Sequence, residues 1–379
     1  MAPLAGSDWI PGPFPGPIVP LPSLRPLSLQ SGGNPLWKCN NPEIIQGDGW
    51  LMTNSPGAAR RQGSAAPLEG TFCVYLFHIN QAKSTKYLHL LVTNPGDRPV
   101  RISGRGTMLT NKQEPLRQRP GTGLNYVVAR DWLVGTPRTR FDAVELAPGQ
   151  AYQVDRAVLE DRAMVDGRFE ISAGGGVYLY TVVTSSGRFA DAVNASQQGP
   201  AAGEIYPPGP ARFGREAGIC AHSILAGVTP IEIPAAPAHL GLCLNTSNKF
   251  APTLQDQTND FLMRLGDSSE RTYANYGHKF DVTLQLRNPA DSARRVRLSF
   301  ATNLVKDQDS PSFAFHGPIR VNDGVNDTVQ DVYVRPTAPR QLLLDDLLLE
   351  AGALRPLRLQ FFVPGLITIG HQLILEVLA

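Results

Sequence analysis

KYLHLLVTNPGDRPVRIS, residues 86–103, is the stretch on which the reading of this chain turns. Leu88, Leu90 and Val92 alternate along it up to Asn94, a Pro-Gly-Asp turn follows, and apolar alternation resumes at Val100 and Ile102. A period of two on both sides of a turn predicts two half-buried strands. The phrase returns at 279–303 as KFDVTLQLRNPADSARRVRLSFATN, with Val282, Leu284 and Leu286 placed before Asn288 as their counterparts are before Asn94. Each copy is followed by a further β signal with a Gly turn, ELAPGQAYQV at 145–154 and LLEAGALRPLRLQF at 348–361. The expectation is an all-β chain of two tandem β-sandwich domains, Ig-like or jelly-roll-like, with one or two short helices. A single large sandwich, with the repeats forming its facing sheets, is the alternative.

Composition agrees with a globular β protein. In 379 residues, 42% are hydrophobic and 18% charged, which argues against charge-driven disorder. The 36 Gly and 33 Pro fall at the punctuation points of short strands. A net charge of +2 supplies no field for nucleic acid or an anionic membrane, and the Arg pairs at 60–61 and 294–295 carry no interleaved aromatics. No apolar run reaches the roughly 18 residues that span a bilayer. As written, MAPLAGSDWIPGPFPGPIVPLP is not a secretory signal, so either the protein stays inside or the sequence starts downstream of one.

Taken in order, residues 1–35 read as a Pro/Gly-rich arm, most simply a flexible tail, although prolines in an extended helix can also strap a sheet. Residues 36–196 form the first sandwich, with FCVYLFHI (72–79) as a central strand covered on both faces. LNYVVARDWLVG (124–135) reads as a short helix, and 154–167 is ambiguous between helix and strand. Residues 169–187 are β with a bend at the Gly run. Residues 197–272 form a Gly/Pro-rich linker with a connecting β segment, and 246–275 read as loop. The second sandwich spans 273–379, with a hairpin at 320–334 and a strand rather than a helix at 342–352.

These phrases, in this order, resemble an uncharacterised cyanobacterial domain-of-unknown-function family. The resemblance runs through NNPEIIQGDGWLM, EGTFCVYLFHI, KYLHLLVTNPGDRPVRI, ELAPGQAYQV, GRFEISAGGGVYLYTVV and ANYGHKFDVTLQLRNPADSARRVRLSFATN, and covers roughly residues 25–379. It implies a bacterial origin and a periplasmic, extracellular or cell-surface location. It brings no catalytic residues. Where the family carries adjacent histidines, this chain has Phe77-His78, which weakens a metal site built on that pair.

The chemistry-bearing residues are scattered. No nucleophile elbow, HExxH, Walker A or CxxC is present. Gly104-Arg105-Gly106 and Gly121-Thr122-Gly123 do not sit between a strand and a helix, as a phosphate loop would. Asp323, Asn326 and Asp327 are candidate Ca²⁺ ligands on one loop, though Asn, Asp and Gly are also what a hairpin turn demands; Asp307 and Asp309 read the same way. Tyr178 and Tyr180 share one strand face and are candidates for stacking on sugar rings, or else core. Cys220 with Cys243, and Cys39 with Cys73, could form disulfides or remain buried thiols. His78, His89, His222, His239, His278, His316 and His371 show no ligand spacing, and His78 reads as a core histidine. The leading expectation is a non-enzymatic envelope or extracellular protein acting through its surfaces, in assembly or in a surface layer or filament, without a cofactor. Its partners would be proteins, copies of itself or a cell-surface glycan. A carbohydrate-binding protein and an enzyme of unrecognised type are the alternatives.

Overall fold

A computed structural model describes residues 2–56, 61–63, 66–111, 123–203, 215–248, 253–303, 314–365 and 370–378. Its elements follow the punctuation of the chain. The arm gives β1 (Ile10–Pro11) and β2 (Gln30–Gly32). Next come β3 (Leu36–Cys39), β4 (Ile44–Ile45), β5 (Gly49–Thr53), β6 (Arg61–Gly63), β7 (Leu68–Asn80), β8 (Lys86–Thr93), β9 (Val100–Asn111) and helix α1 (Leu124–Leu133). Then follow β10 (Thr139–Leu146), β11 (Ala151–Leu159), β12 (Met164–Thr184) and helix α2 (Phe189–Ser196). The middle of the chain supplies β13 (Ala217–Cys220), β14 (Ile224–Glu232), β15 (Ala238–Leu244) and β16 (Phe261–Leu265). The second repeat supplies β17 (Lys279–Arg287), β18 (Arg294–Thr302), β19 (Phe315–Asn322), β20 (Asp327–Val334), β21 (Gln341–Leu349), β22 (Leu354–Phe362) and β23 (His371–Val377). The fold is all-β, with two domains.

Strand β12 organises the first sandwich. Its first half pairs with β7 and β9, its second half with β8 and β5, and the register breaks between Ala173 and Val177 at the Gly run. One strand therefore serves both sheets, and the apolar faces enclose Phe72, Val74, Phe169, Ile171, Leu88 and Leu90. The second sandwich has facing sheets ordered β1-β15-β23-β18-β21 and β2-β14-β17-β22-β19-β20. Between them Phe280 stacks on Phe361 at 5.1 Å, with Phe300 and Phe315 packed around the pair.

The repeated phrase is not a hairpin. β8 pairs with β11 and β12, whereas β9 pairs with β10 and the other half of β12, so residues 94–99 carry the chain from one sheet to its partner. β17 and β18 are separated in the same way, pairing with β14 and β22, and with β21 and β23. Asn94 fixes the arch: its amide donates to Arg98 O and Leu146 O (2.7 and 2.9 Å), and its carbonyl accepts from Gly96 N–H (2.9 Å). Asn288 repeats this with Ser292 O, Leu349 O and Ala290 N–H. A third copy, missed in the sequence, is Asn80, bonded to Ser84 O, Leu159 O and Ala82 N–H. Each asparagine ties its own arch to a neighbouring loop, and all three are buried.

The arm is not a flexible tail. β1 pairs with β15 and β2 with β14, and Val19, Leu24 and Leu27 are buried on the second sandwich. Prolines lack the N–H that would continue a ladder, so the arm docks with side chains and scattered bonds such as Leu4 N–H to Pro230 O. Gly227 and Gly241 make room for it: a Cβ on Gly227 would sit 1.6 Å from Ser28 O, and one on Gly241 2.7 Å from Leu24 and Val19. The β segment expected within 197–272 supplies β13 to the first sandwich's large sheet and β14 and β15 to the second sandwich, while β16, which joins β13 in that large sheet, falls in 246–275, expected as loop. Residues 154–167 resolve into β11, a turn and β12, while α2 was not anticipated; its Ala192 and Ala195 are buried against β12 and β5.

Candidate functional site

Strands β7, β12, β9 and β10 lie side by side, and the pleat sends alternate residues to opposite faces. The inner face feeds the first core. On the outer face the register aligns polar residues in rows. Thr71, Ser172 and Ser103 form one row; Cys73, Glu170, Arg105 and Arg140 form the next; Tyr75, Arg168 and Thr107 form a third. The third row is buried under the second sandwich, as is most of Cys73 at the β7 end of the second row, while the other residues of the first two rows rise to solvent. In the second row Arg105 Nε donates to Glu170 Oε1 at 3.2 Å, and the guanidinium lies 5.5 Å from the centroid of Trp132 on α1. The Thr71 and Ser172 hydroxyls are 2.8 Å apart.

The open end of this face is a cleft of about 430 Å³ walled by Ser103, Arg105, Arg140, Asp142, Glu170 and Ser172. A bulge between Phe141 and Val144, with Ala143 at φ 51°, interrupts β10 and leaves Asp142 exposed on the cleft. Two guanidinium groups and two carboxylates balance, so the cleft carries no net charge, and Phe141 adds an apolar stretch to its wall.

At its closed end the face meets the second sandwich. Arg168 Nη1 donates to Gly277 O (2.8 Å), and its guanidinium lies 3.9 Å from the Phe362 centroid and 5.6 Å from that of Tyr75. Trp132 Nε1 donates to Arg168 O at 3.1 Å, which ties α1 to the same strand. Burial lowers the Arg168 guanidinium to about 10. Asp166, one step further in, is fully buried. Burial lifts its carboxyl to about 7 against the opposing pull of Arg168 and the Gly365 N–H, and its Oδ2 has no hydrogen-bond partner. Nearby, Lys38 Nζ and Glu216 Oε2 form an ion pair at 2.5 Å with both side chains inaccessible, and Glu216 Oε1 accepts from Ala274 N–H. Tyr75, Phe77, Ile79 and Met164 join the apolar cluster of the second sandwich, so the seam between the domains is a continuous core around these buried charges.

The residues singled out in the sequence fall elsewhere. Tyr180 is buried in the first core and offers no platform for a sugar, while Tyr178 is half-buried and packs against that core. Asp323 Oδ1 accepts from Val325 N–H and Asn326 N–H, while Oδ2 accepts from Arg355 at 2.7 Å. Asp327 is paired with Arg320. These carboxylates hold a turn and two arginines. Asp307 and Asp309 lie outside the described residues, as do Gly121 and Thr122. Of the two readings open for the cysteines, the structure has the thiols: all four are free. Cys39 lies beside Leu76, three residues along β7 from Cys73, and Cys220 and Cys243 belong to different sheets. Cys39 Sγ instead meets His78 Nε2 at 3.1 Å, with His78 Nδ1 on Pro42 O, a core histidine that burial lowers to about 4. The histidines do not converge, and among the described residues no group of three His, Cys, Asp or Glu could hold a metal. Among those residues no helix is long and apolar enough to cross a membrane. Arg105 and Glu170 were missed because they become partners only through the β9–β12 register.

The chain belongs to a family described as a protein of unknown function, DUF3370, whose profile matches residues 23–126 and 207–365. No curated relative matches it. Among solved structures, it is similar to tripeptidyl peptidase 2 (10% identity, 89% of this chain, TM-score 0.21), of which it spans 24%. It is also similar to the CUB1-EGF-CUB2 domains of rat MASP-1 (9% identity, 91% of this chain and all of that one, TM-score 0.20). A third is the CBM22 tandem of Paenibacillus barcinonensis Xyn10C (10% identity, 92% and 99% coverage, TM-score 0.15). Scores this low carry no functional argument.

Proposed function

We propose that this DUF3370 chain is a non-enzymatic β-sandwich protein of the cell envelope or extracellular space, acting by holding a partner on the outer face of β12, β9 and β10. The observation that supports this reading is the set of solvent-facing polar rows beside the domain seam. There Arg105 is held by both Glu170 and Trp132, so its donors are positioned before any partner arrives. The thiol in the same row argues for binding over covalent chemistry, since burial raises Cys73 away from the reactive thiolate despite the Ser223 hydrogen bond and the arginines. The reading needs no cofactor. Its test is co-sedimentation of the purified protein with a bacterial envelope fraction, alongside an Arg105→Ala/Arg140→Ala double variant. Wild type is expected in the pellet and the variant in the supernatant. A wild-type protein that stays monomeric and unbound refutes the proposal.

A further inference from the structure

Resting on that reading, we infer that the cleft on β9, β10 and β12 takes a neutral oligosaccharide. The argument starts from charge. Arg105 is already neutralised by Glu170, and Arg140 and Asp142 bring one charge of each sign to the same cleft from β10. An anionic polymer would meet two carboxylates and a cationic one two guanidinium groups, so either is opposed by half of the wall. A chain of vicinal hydroxyls is opposed by none, because each hydroxyl both donates and accepts. It can accept from Arg105 and Arg140 while donating to Glu170 and Asp142. Ser103 and Ser172 add hydroxyls of the same dual character on the row beside them.

The geometry suits an extended ligand. The two open rows run across the strands, and neighbouring strands are spaced about 4.8 Å apart. From β12 through β9 to β10 the cleft therefore crosses two such gaps, a span of about 10 Å. A short run of sugar rings would cover it. Arg105 is the positioning element: Trp132 lies beneath its plane and Glu170 holds its edge, which fixes the guanidinium where a flexible cation would swing free. Tyr178 and Tyr180 do not line this cleft: Tyr180 is in the first core and the half-buried Tyr178 packs against it.

The test is calorimetric titration of the full chain with cellohexaose, xylohexaose and laminarihexaose. Hexagalacturonate serves as the acidic probe and hexaglycine as the peptide probe. At least one neutral hexasaccharide is expected to bind, with hexagalacturonate and hexaglycine at least tenfold weaker. Arg105→Ala, Glu170→Ala and the exposed Arg140→Ala are each expected to weaken the neutral sugar by at least tenfold. Arg105→Lys, which keeps the charge and loses the planar fork, is expected to weaken it as well. Circular dichroism confirms that each variant is folded, and the exposed Arg140 keeps the test valid should Arg105 prove structural. Hydrogen exchange is expected to slow at residues 101–106 and 168–173 on sugar binding. Preference for the uronate or the peptide overturns the inference, as does the absence of neutral-sugar binding. Envelope co-sedimentation that persists in those cases leaves the surface function standing and removes only the sugar.

Discussion

Replacing Asp166 by Asn is expected to remove a component of stability that depends on pH. Asp166 is fully buried at the seam, with one oxygen unpartnered, and its carboxyl is raised from 3.8 to about 7. Well below pH 3.8 the group is protonated in both folded and unfolded chains, and the seam keeps its full stability. As pH rises from about 4 to 7 the unfolded chain releases the proton while the folded one retains it, so stability falls; above 7 the loss is complete. At about 1.4 kcal/mol per pH unit the difference amounts to about 4 kcal/mol. Asparagine has the shape of the protonated acid and does not titrate. The variant should match wild type at pH 4 and exceed it by about that amount at pH 8. Urea unfolding followed by tryptophan fluorescence at pH 4.5, 5.5, 6.5 and 8 measures this. The informative quantity is the difference between the two proteins, because His78 and His371, both lowered to about 4 by burial, tilt each curve the other way. A difference that stays constant across this range refutes the reasoning.

Four further outcomes follow from the same structure. Asn80→Ala, Asn94→Ala and Asn288→Ala should each cost about 2–4 kcal/mol in urea unfolding, because each removes a buried amide and strands two carbonyls at Asn94 and three at Asn80 and Asn288; a cost below 1 kcal/mol would show that water replaces it. Gly227→Ala should lift the arm off β14, seen as faster hydrogen exchange at residues 24–32 with β17 unaffected; unchanged exchange there would mean that the strap shifts without release. A thiol reagent should modify four cysteines per unfolded chain and none of Cys39, Cys220 or Cys243 in the folded one, since burial raises all three, Cys220 to about 12 and Cys243 to about 11; fewer than four on unfolding without reductant would reveal a disulfide. Chelation with EDTA should leave the melting temperature unchanged, because Asp323 and Asp327 are held by Arg355 and Arg320; a fall of several degrees would place a cation on that loop.

The sequence by itself determined the class of fold. Alternation around Asn94 and Asn288 is local, and the strand periodicity it encodes survives into β8, β9, β17 and β18. The helix at Leu124–Leu133 and the hairpin of β19 and β20 were legible for the same reason. The partners of those strands were not. An arch between two sheets and a hairpin within one present the same pattern along the chain, and the difference lies in the amide of Asn94 reaching Leu146 O, 52 residues away. The arm's docking depended on the absent side chains of Gly227 and Gly241, which composition registers only as glycine. The candidate site is the extreme case. Arg105 and Glu170 are 65 residues apart and become neighbours only when β9 and β12 pair in one register, which a shift of a single residue would undo. Period is a property of the chain, whereas register is a property of the packed sheets, and the polar rows exist only in the second.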